Sequence, residues 1–401
     1  MLSRKIEKDI INWLENENKA LLIDGARQVG KTYIIRKVLN EKNFSYNEFN
    51  LLETPEIVEL LKTTHSVDEL ITNLSLFAEN PFVKGKTVIF FDEIQEFKEL
   101  ATKIKFWVDD GSFKFIFSGS LLGVELKNIK SAPVGYLKTI TMYPMDFEEF
   151  LQIYNFTDEL KESLHTSFLE RKPVNEEVHN RMMKIFNTYL NVGGMPSAVD
   201  RFNETKSLED VISEHEDIVV QYKKDFTRYE QEDKKPYLTQ IYDLIPAELN
   251  SQTKRFNFAD LKKGLRYERS EENFIWLASA GVALPSYNVT EPTVPLLLNE
   301  KSSLFKLFLA DVGMLTTMYG RATKMQLLQS NQNVNFGAIY ENVVAQELKA
   351  HGFKLYYFNS KKSGELDFVI EYNNGAVNGG ACELIVRETY LNSTAPGAVH
   401  D

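Results

Sequence analysis

The chain has 401 residues, a length that fits two or three domains, and its 43% hydrophobic and 26% charged residues exclude collagen, coiled coil and wholesale disorder. The net charge of −11 gives no reason to expect general binding to nucleic acid. A single cysteine, Cys382, excludes an internal disulfide and a cysteine-based metal cluster. No apolar run approaches the ~18 residues of a membrane span, and the first residues lack a signal-peptide pattern, so we expect a cytoplasmic protein without membrane association.

The first 150 residues alternate short apolar segments with segments of helical spacing. Helical spacing is seen in the opening residues Ile6, Ile10 and Leu14, and in Thr32–Leu39, Ile57–Ala78 and Phe97–Val108. The predicted strands are Ala20–Asp24, Ser45–Leu51, Thr87–Phe91, Phe113–Phe117 and Thr139–Met142. This alternation predicts an α/β fold in which helices cover both faces of a parallel sheet.

A glycine-rich loop lies between the first predicted strand and the second predicted helix. It fits the pattern GxxxxGK[ST], whose members here are Gly25, Ala26, Arg27, Gln28, Val29, Gly30, Lys31 and Thr32. Such a loop directs backbone N–H groups and a helix N-terminus at a phosphate, while Lys31 reaches the β- and γ-phosphates and Thr32 holds Mg²⁺. The alternative is a simple glycine turn, and the position of the loop between strand and helix favours the phosphate site.

Polar residues also follow the third and fourth predicted strands. Asp92 is expected to bind the magnesium shell, and Glu93 to act as the general base that polarises the attacking water. The alternative for both is that they cap the next helix. Ser118 or Ser120 could hydrogen-bond the γ-phosphate or the water, or the Ser-Gly-Ser segment could be only a turn.

The rest of the chain has a different texture. Residues from about 155 to 325 are mostly helical in pattern, and residues from about 335 to 375 predict helix, strand, turn and strand. Gly193, Gly194 and Pro196 follow a helical stretch and fit a helix C-cap, with a lid loop as the functional alternative. Lys254–Tyr287 is similar to a winged helix.

These segments together resemble a bacterial and archaeal family of AAA-type ATPases with a C-terminal DUF4143 region. The matching segments are GARQVGKT, VIFFDEIQ, FIFSGS, VGYLKTITMYPMDFEEFL, YLNVGGMPSA and FGAIYENV. The resemblance implies an AAA-like domain over residues 1–150 with strand order 5-1-4-3-2, a helical lid over 151–235, a winged-helix-like segment over 236–325, and a restriction-endonuclease-like α/β domain over 326–401. It also implies Ser118 or Ser120 as phosphate sensor and Arg4, on the opening helix, near the adenine.

Two features depart from this family. Its members often have Gly-Arg where this chain has Gly135 and Tyr136, so an arginine that stabilises the transition state is missing there. Lys138, Arg201 or Arg228 could substitute, and the sequence does not choose among them.

The second departure concerns the nuclease-like region. Glu341 and Asp367 would suit a metal site in such a core, and the alternative, which we favour, is a polar pair that only keeps an inherited fold. No Glu-x-Lys follows them, and there is no lysine after Lys362. From about Gly375 the tail becomes rich in Gly and Ala, and we expect that it departs from the family through truncation, frame change or divergence, which would leave the domain incomplete. We expect no nuclease activity.

The sequence therefore predicts an ATP-binding, Mg²⁺-dependent ATPase. The alternative is a nucleotide-gated binding module with little turnover that acts on a partner protein or nucleic acid, which Tyr136 favours. A third reading, from resemblance alone, is a DNA-processing ATPase. Self-association is expected because AAA-type sites often lie between subunits, and the C-terminal domains are the expected contact for DNA or a partner protein.

Overall fold

The computed structural model describes residues 2–120, 135–232, 237–263, 267, 270–329, 336–360, 364–372 and 375–378. The chain divides into two compact units. The first unit comprises residues 3–143 together with 279–281, and the second comprises the first two residues, 144–278 and 282 onwards. Among the described residues, none of the helices combines the length and apolar character that a membrane span requires.

The first unit is built around a parallel sheet. Its strands are β1 Ala20–Asp24, β2 Ser45–Asn50, β3 Thr87–Asp92, β4 Lys114–Ser118 and β5 Leu137–Thr141. They pair in the order β2-β3-β4-β1-β5, which confirms the expected order 5-1-4-3-2 read from the other edge. Its helices are α1 Ile6–Asn16, α2 Lys31–Glu41, α3 Pro55–Thr63, α4 Val67–Leu74 and α5 Leu100–Asp110.

The sheet has a buried aromatic core. Every residue of β3 is buried, and Trp107 of α5 stacks on Phe91 and Phe115 with ring centroids 5.9 and 5.4 Å apart. Because all the strand pairs are parallel, the carboxyl ends of the central strands β1, β3 and β4 lie at the same edge of the sheet. Residues that directly follow these strands are thus brought together.

The predicted helix over Ile57–Ala78 is two helices, α3 and α4. The break follows from local hydrogen bonding, because the Thr64 hydroxyl donates to the carbonyl of Leu60, and the Ser66 side chain accepts from the N–H of Glu69. Ser66 is the N-cap of α4, and an N-cap residue does not have helical backbone angles. The apolar spacing continues through the break, so it did not reveal the interruption.

The described residues of the second unit form eleven helices, some of them before and some after its strands. Most of its long helices lie before residue 250, as the helical pattern predicted. The helices are α6 Phe147–Phe150, α7 Asp158–Leu169, α8 Glu176–Val192, α9 Pro196–Thr205, α10 Leu208–Glu232, α11 Leu238–Leu249, α12 Phe258–Leu261, α13 Glu271–Ser279, α14 Val312–Met318, α15 Arg321–Leu328 and α16 Gly337–Ala350.

A second sheet of five strands lies in this unit. The strands are β6 Ala283–Val289, β7 Glu300–Leu309, β8 Tyr356–Ser360, β9 Gly364–Tyr372 and β10 Gly375–Asn378, paired in the order β10-β9-β8-β6-β7. β6 pairs antiparallel with β7 and parallel with β8. One sheet therefore takes strands from both sides of residue 325, where the sequence suggested a domain boundary.

The strands of this sheet can be compared with those expected for the winged-helix-like segment and for the nuclease-like domain. The short strand expected after the winged-helix-like helices is β6, whereas β7 lies in a region whose pattern predicted mostly helix. The helix, strand, turn and strand expected over 335–375 are α16, β8 and β9. Cys382 and the tail that departs from the family pattern, from residue 379 onwards, lie outside the described residues.

Candidate nucleotide site

The glycine-rich loop joins β1 to α2 in the first unit. Its backbone turns through left-handed conformations, with φ of +142° at Gly25, +66° at Gln28 and +93° at Gly30. A Cβ atom on Gly25 would overlap the backbone carbonyl of Met142. The tight curl thus depends on glycine at position 25, and it leads directly into the N-terminus of α2, where backbone N–H groups lack partners within the helix.

Lys31, the first residue of α2, lies within the curl of the loop. Its Nζ donates hydrogen bonds to the backbone carbonyls of Gly25 at 3.0 Å and Ala26 at 2.7 Å. Burial lowers the pKa of Lys31 to about 8, although the nearby carboxylates of Glu93, Asp92 and Asp24 oppose this shift. The ammonium is therefore held by neutral acceptors, which phosphate oxygens could replace.

Asp92 is the point at which three elements meet. It is the last residue of β3, and its carboxylate accepts hydrogen bonds from the Thr32 hydroxyl at 2.8 Å and from the Ser118 hydroxyl. The backbone N–H of Glu93 also donates to it, at 3.0 Å. Carboxylate and hydroxyl oxygens are the ligands that Mg²⁺ prefers, so this donor set fits the magnesium ion that such loops hold. Ser120 is also buried, but no contact places it on Asp92.

Glu93 follows β3 in a left-handed backbone conformation, with φ of +53°. This conformation is uncommon for a residue with a side chain and is typical of functional sites. The Glu93 carboxylate accepts a hydrogen bond from the Gln95 amide. The charge of Glu93 also opposes the lowering of the Lys31 pKa by burial.

Arg4 lies two residues before α1, rather than on that helix as expected. Its guanidinium donates to the carbonyl of Val29 at 3.1 Å and to the carbonyl of Tyr143 at 2.8 Å. These contacts tie the loop to the segment after β5. A role of Arg4 near the adenine stays a prediction.

Two residues at this site were not anticipated from the sequence. Asp24 ends β1, and burial raises the pKa of its carboxyl against the effects of Thr141 and Lys31. Gly281 has φ of +73°, and a Cβ on it would lie 3.0 Å from the Ala26 nitrogen. Asp24 could have been found as the acid next to Gly25, but no signal in the sequence connects Gly281 with the loop.

Contacts are described for two of the three proposed substitutes for the missing arginine, Lys138 and Arg201. Lys138 is the second residue of β5, paired in register with Leu21, and its Nζ lies 2.5 Å from a Glu17 carboxylate oxygen. It therefore lies toward the strand end opposite the phosphate loop. Arg201, in the second unit, lies 3.8 Å from Asp210. Lys138 and Arg201 are thus each paired with a carboxylate of their own unit.

Glu341 and Asp367, the two acids singled out in the nuclease-like region, lie around one lysine of the second unit. The Nζ of Lys306, on β7, lies 3.2 Å from Glu341 and 3.1 Å from Asp367, and 3.3 Å from Glu365. Lys254 forms a further ion pair with Glu341. The sequence brought Glu341 and Asp367 into one expected site, but it did not point to Lys306, because β7 was not predicted. Glu383, which is not followed by the lysine of a Glu-x-Lys motif, lies outside the described residues.

Three protein-family models match segments that together make up most of the chain. Residues 17–151 match an AAA domain, residues 183–325 match a domain of unknown function called DUF8612, and residues 336–379 match the domain of unknown function DUF4143. An uncharacterised protein of Methanocaldococcus jannaschii is 26% identical over 199 residues, which are 49% of this chain. The aligned part spans only 38% of that curated relative.

Similar solved structures include a Walker-type ATPase of Pyrococcus abyssi, with 15% identity, a TM-score of 0.48, and coverage of 80% of this chain and 96% of that one. AMPPCP-bound DnaA of Aquifex aeolicus has 14% identity and a TM-score of 0.31 over 68% of this chain and 77% of that one. Scores at this level carry no conclusion about function. The sheet order and the loop geometry agree with the first matched domain, and the chain therefore contains an AAA-type P-loop domain and a DUF4143 region.

Proposed function

We propose that this protein binds ATP with Mg²⁺ and hydrolyses it. The observation that carries the proposal is the convergence of Lys31, Thr32 and Asp92 at the edge of the sheet where the glycine-rich loop begins. A glycine turn without a ligand would not require a buried ammonium beside a carboxylate that already collects hydroxyl groups. An AAA domain match over residues 17–151 supports the same function.

Each residue has a distinct proposed role. The backbone of Gly25, Ala26, Arg27, Gln28, Val29 and Gly30 surrounds the phosphates, and Lys31 exchanges its carbonyl partners for β- and γ-phosphate oxygens. Thr32 and Asp92 would hold Mg²⁺, which supplies positive charge to the triphosphate when bound. Glu93 accepts the proton of the attacking water, and Ser118 orients the γ-phosphate or that water.

The test compares nucleotide binding and steady-state phosphate release in the wild type, Lys31→Ala and Glu93→Gln. Lys31→Ala should weaken ATP binding by about 100-fold, since hydrogen bonds to a charged group contribute roughly 1.5–3 kcal/mol each. Glu93→Gln should retain ATP but lose about 10²–10⁴-fold in turnover, the usual contribution of a general base. Lys138→Ala is the matched control, because Lys138 is paired with Glu17 and should affect neither quantity. Unchanged binding and turnover in both site variants would disprove the proposal.

A second function is a nucleotide-gated binding module with little turnover. Tyr136 stands where related proteins often have arginine, and Lys138 is engaged with Glu17, so no cation of β5 supplies the missing charge. Phosphate release measured with and without DNA, and across protein concentrations, separates the two. Turnover that rises steeply with protein concentration would indicate that a second copy completes the site.

A further inference from the structure

Three side chains of the second unit converge on one another. They are the carboxylates of Asp146 and Glu347 and the imidazole of His351, and one ligand atom of each lies within 4.8 Å of the others. Asp146 is the N-cap of α6, whereas Glu347 and His351 are one helical turn apart at the end of α16 and therefore share a face. We propose that these three residues bind a divalent transition-metal cation, with zinc as the best fit.

The orientation of His351 supports a metal ligand. Its Nδ1 lies 2.8 Å from the backbone carbonyl oxygen of Glu347, and because a carbonyl can only accept, Nδ1 carries the proton. The other ring nitrogen, Nε2, faces Asp146 and is the one that can ligate a metal ion. Nε2 and the nearest Asp146 oxygen form an ion-pair contact of 3.7 Å, which also brings the two atoms close enough to share a metal ion. Metal-binding histidines commonly donate one ring nitrogen to a carbonyl in this way and ligate with the other.

The two carboxylates are held in place by neighbouring groups. Asp146 accepts the N–H of Glu149 at 2.8 Å, and Glu347 accepts the N–H of Phe147 at 2.9 Å and the Tyr189 hydroxyl at 3.0 Å. Only 3% of Asp146 and 6% of Glu347 is exposed. Neighbouring buried carboxylates favour a cationic partner, and a divalent cation that is held together with His351 can take that role.

The donor set selects the metal. One imidazole nitrogen and two carboxylate oxygens suit zinc, whereas magnesium and calcium prefer oxygen donors alone. Three protein ligands leave a coordination position open. A bound ion would join the N-terminus of α6 to the C-terminal end of α16, and it would therefore stabilise the second unit against unfolding.

The experiment uses the full chain, stripped with a chelator, desalted and free of nucleotide. Zinc is titrated in competition with a chromophoric chelator, and Co²⁺ is substituted to record its visible absorption. We expect about one zinc ion per chain, a Co²⁺ spectrum of low coordination number, and a higher melting temperature with zinc. His351→Gln and Asp146→Asn should each weaken zinc binding by at least about tenfold. Asparagine caps a helix as well as aspartate does, so the second variant preserves the start of α6.

Two controls separate this site from others. Asp92→Asn alters the candidate nucleotide site, and His65→Gln removes an exposed histidine, so both should bind zinc as the wild type does. The proposal is overturned if the wild type takes up no zinc at micromolar concentration, if His351→Gln binds as tightly as the wild type, or if Asp92→Asn abolishes binding. Should His351→Gln fail to fold, the affinity and Co²⁺ spectrum of Asp146→Asn decide in the same way.

Discussion

Two buried lysines, each near carboxylates, behave differently in the two units. Lys31 donates to the neutral carbonyls of Gly25 and Ala26, and burial lowers its pKa to about 8. Lys306 is completely buried, but the carboxylates of Glu341 and Asp367 outweigh desolvation and raise its pKa. Neutral partners leave a charge ready for an anionic ligand, whereas charged partners neutralise it. In this pair of residues, neutral carbonyl groups hold the lysine of the candidate nucleotide site, whereas carboxylates hold the lysine of the ion cluster.

The largest effect is expected when each lysine is replaced by methionine, which removes the ammonium group and keeps much of the side-chain volume. Lys306→Met should lower the free energy of unfolding by about 3 kcal/mol, the lower end for breaking a buried ion pair, because Glu365 and Asp367 remain about half exposed to water. Lys31→Met should leave stability at pH 7 unchanged or raised, since it removes a lysine that is destabilised by desolvation. Urea unfolding of the two variants measures both effects.

A loss of stability in Lys31→Met equal to that in Lys306→Met would break the comparison. ATP binding provides the reciprocal control, because it should be lost in Lys31→Met and retained in Lys306→Met. Retention of ATP binding in both variants would show that Lys31 is a structural residue.

A smaller effect is expected from pH. The folded pKa of Lys31, about 8, lies below its usual value of 10.5, so the ammonium that ATP requires is lost as pH rises through about 8. ATP affinity should be constant below pH 8 and fall by up to about tenfold per pH unit above it, until the pKa of the ATP-bound state is reached. Binding measured by calorimetry from pH 7 to pH 10 tests this, with Lys31→Ala as the control that should show no such decline. An affinity that is flat across this range in the wild type would refute the assigned role.

The smallest effect is expected for Lys254, which borders the ion cluster of Lys306, Glu341, Glu365 and Asp367. Lys254 also pairs with Glu341, but its side chain is 27% exposed, whereas that of Lys306 is fully buried. Lys254→Met should therefore cost less than about 1 kcal/mol, as an ion pair open to water does. Thermal unfolding of Lys254→Met beside Lys306→Met measures the ratio. Equal losses would mean that Lys254 shares the neutralisation of Glu341.

The sequence predicted the nucleotide site better than it predicted the second sheet. The loop Gly25–Thr32 and Asp92 follow strands whose short apolar runs are visible in the sequence, and parallel pairing alone places their ends at one edge. The Lys306 cluster depends instead on β7, whose first half is mostly exposed and lacks a clear alternation. Its pairing with β6 and the approach of α16 are long-range contacts, which local patterns do not encode.

The same limit applies to single residues. Ser118 and Ser120 were equivalent candidates in the sequence, and only the hydrogen bond to Asp92 distinguishes Ser118. The contacts of Arg4 with Val29 and Tyr143 could not be read from residues so far apart in the chain. Residue type and spacing thus identified the candidate site residues, and contacts between distant parts of the chain showed which candidates lie together.

The close approach of Gly25 to Met142 has a consequence for mutagenesis. The backbone carbonyl of Met142 occupies the volume in which any side chain at position 25 would begin, and φ there is +142°. Backbone atoms cannot rotate aside as a side chain can. In a saturation library selected for nucleotide retention, position 25 should return glycine alone, because even alanine would place a Cβ atom against the Met142 carbonyl.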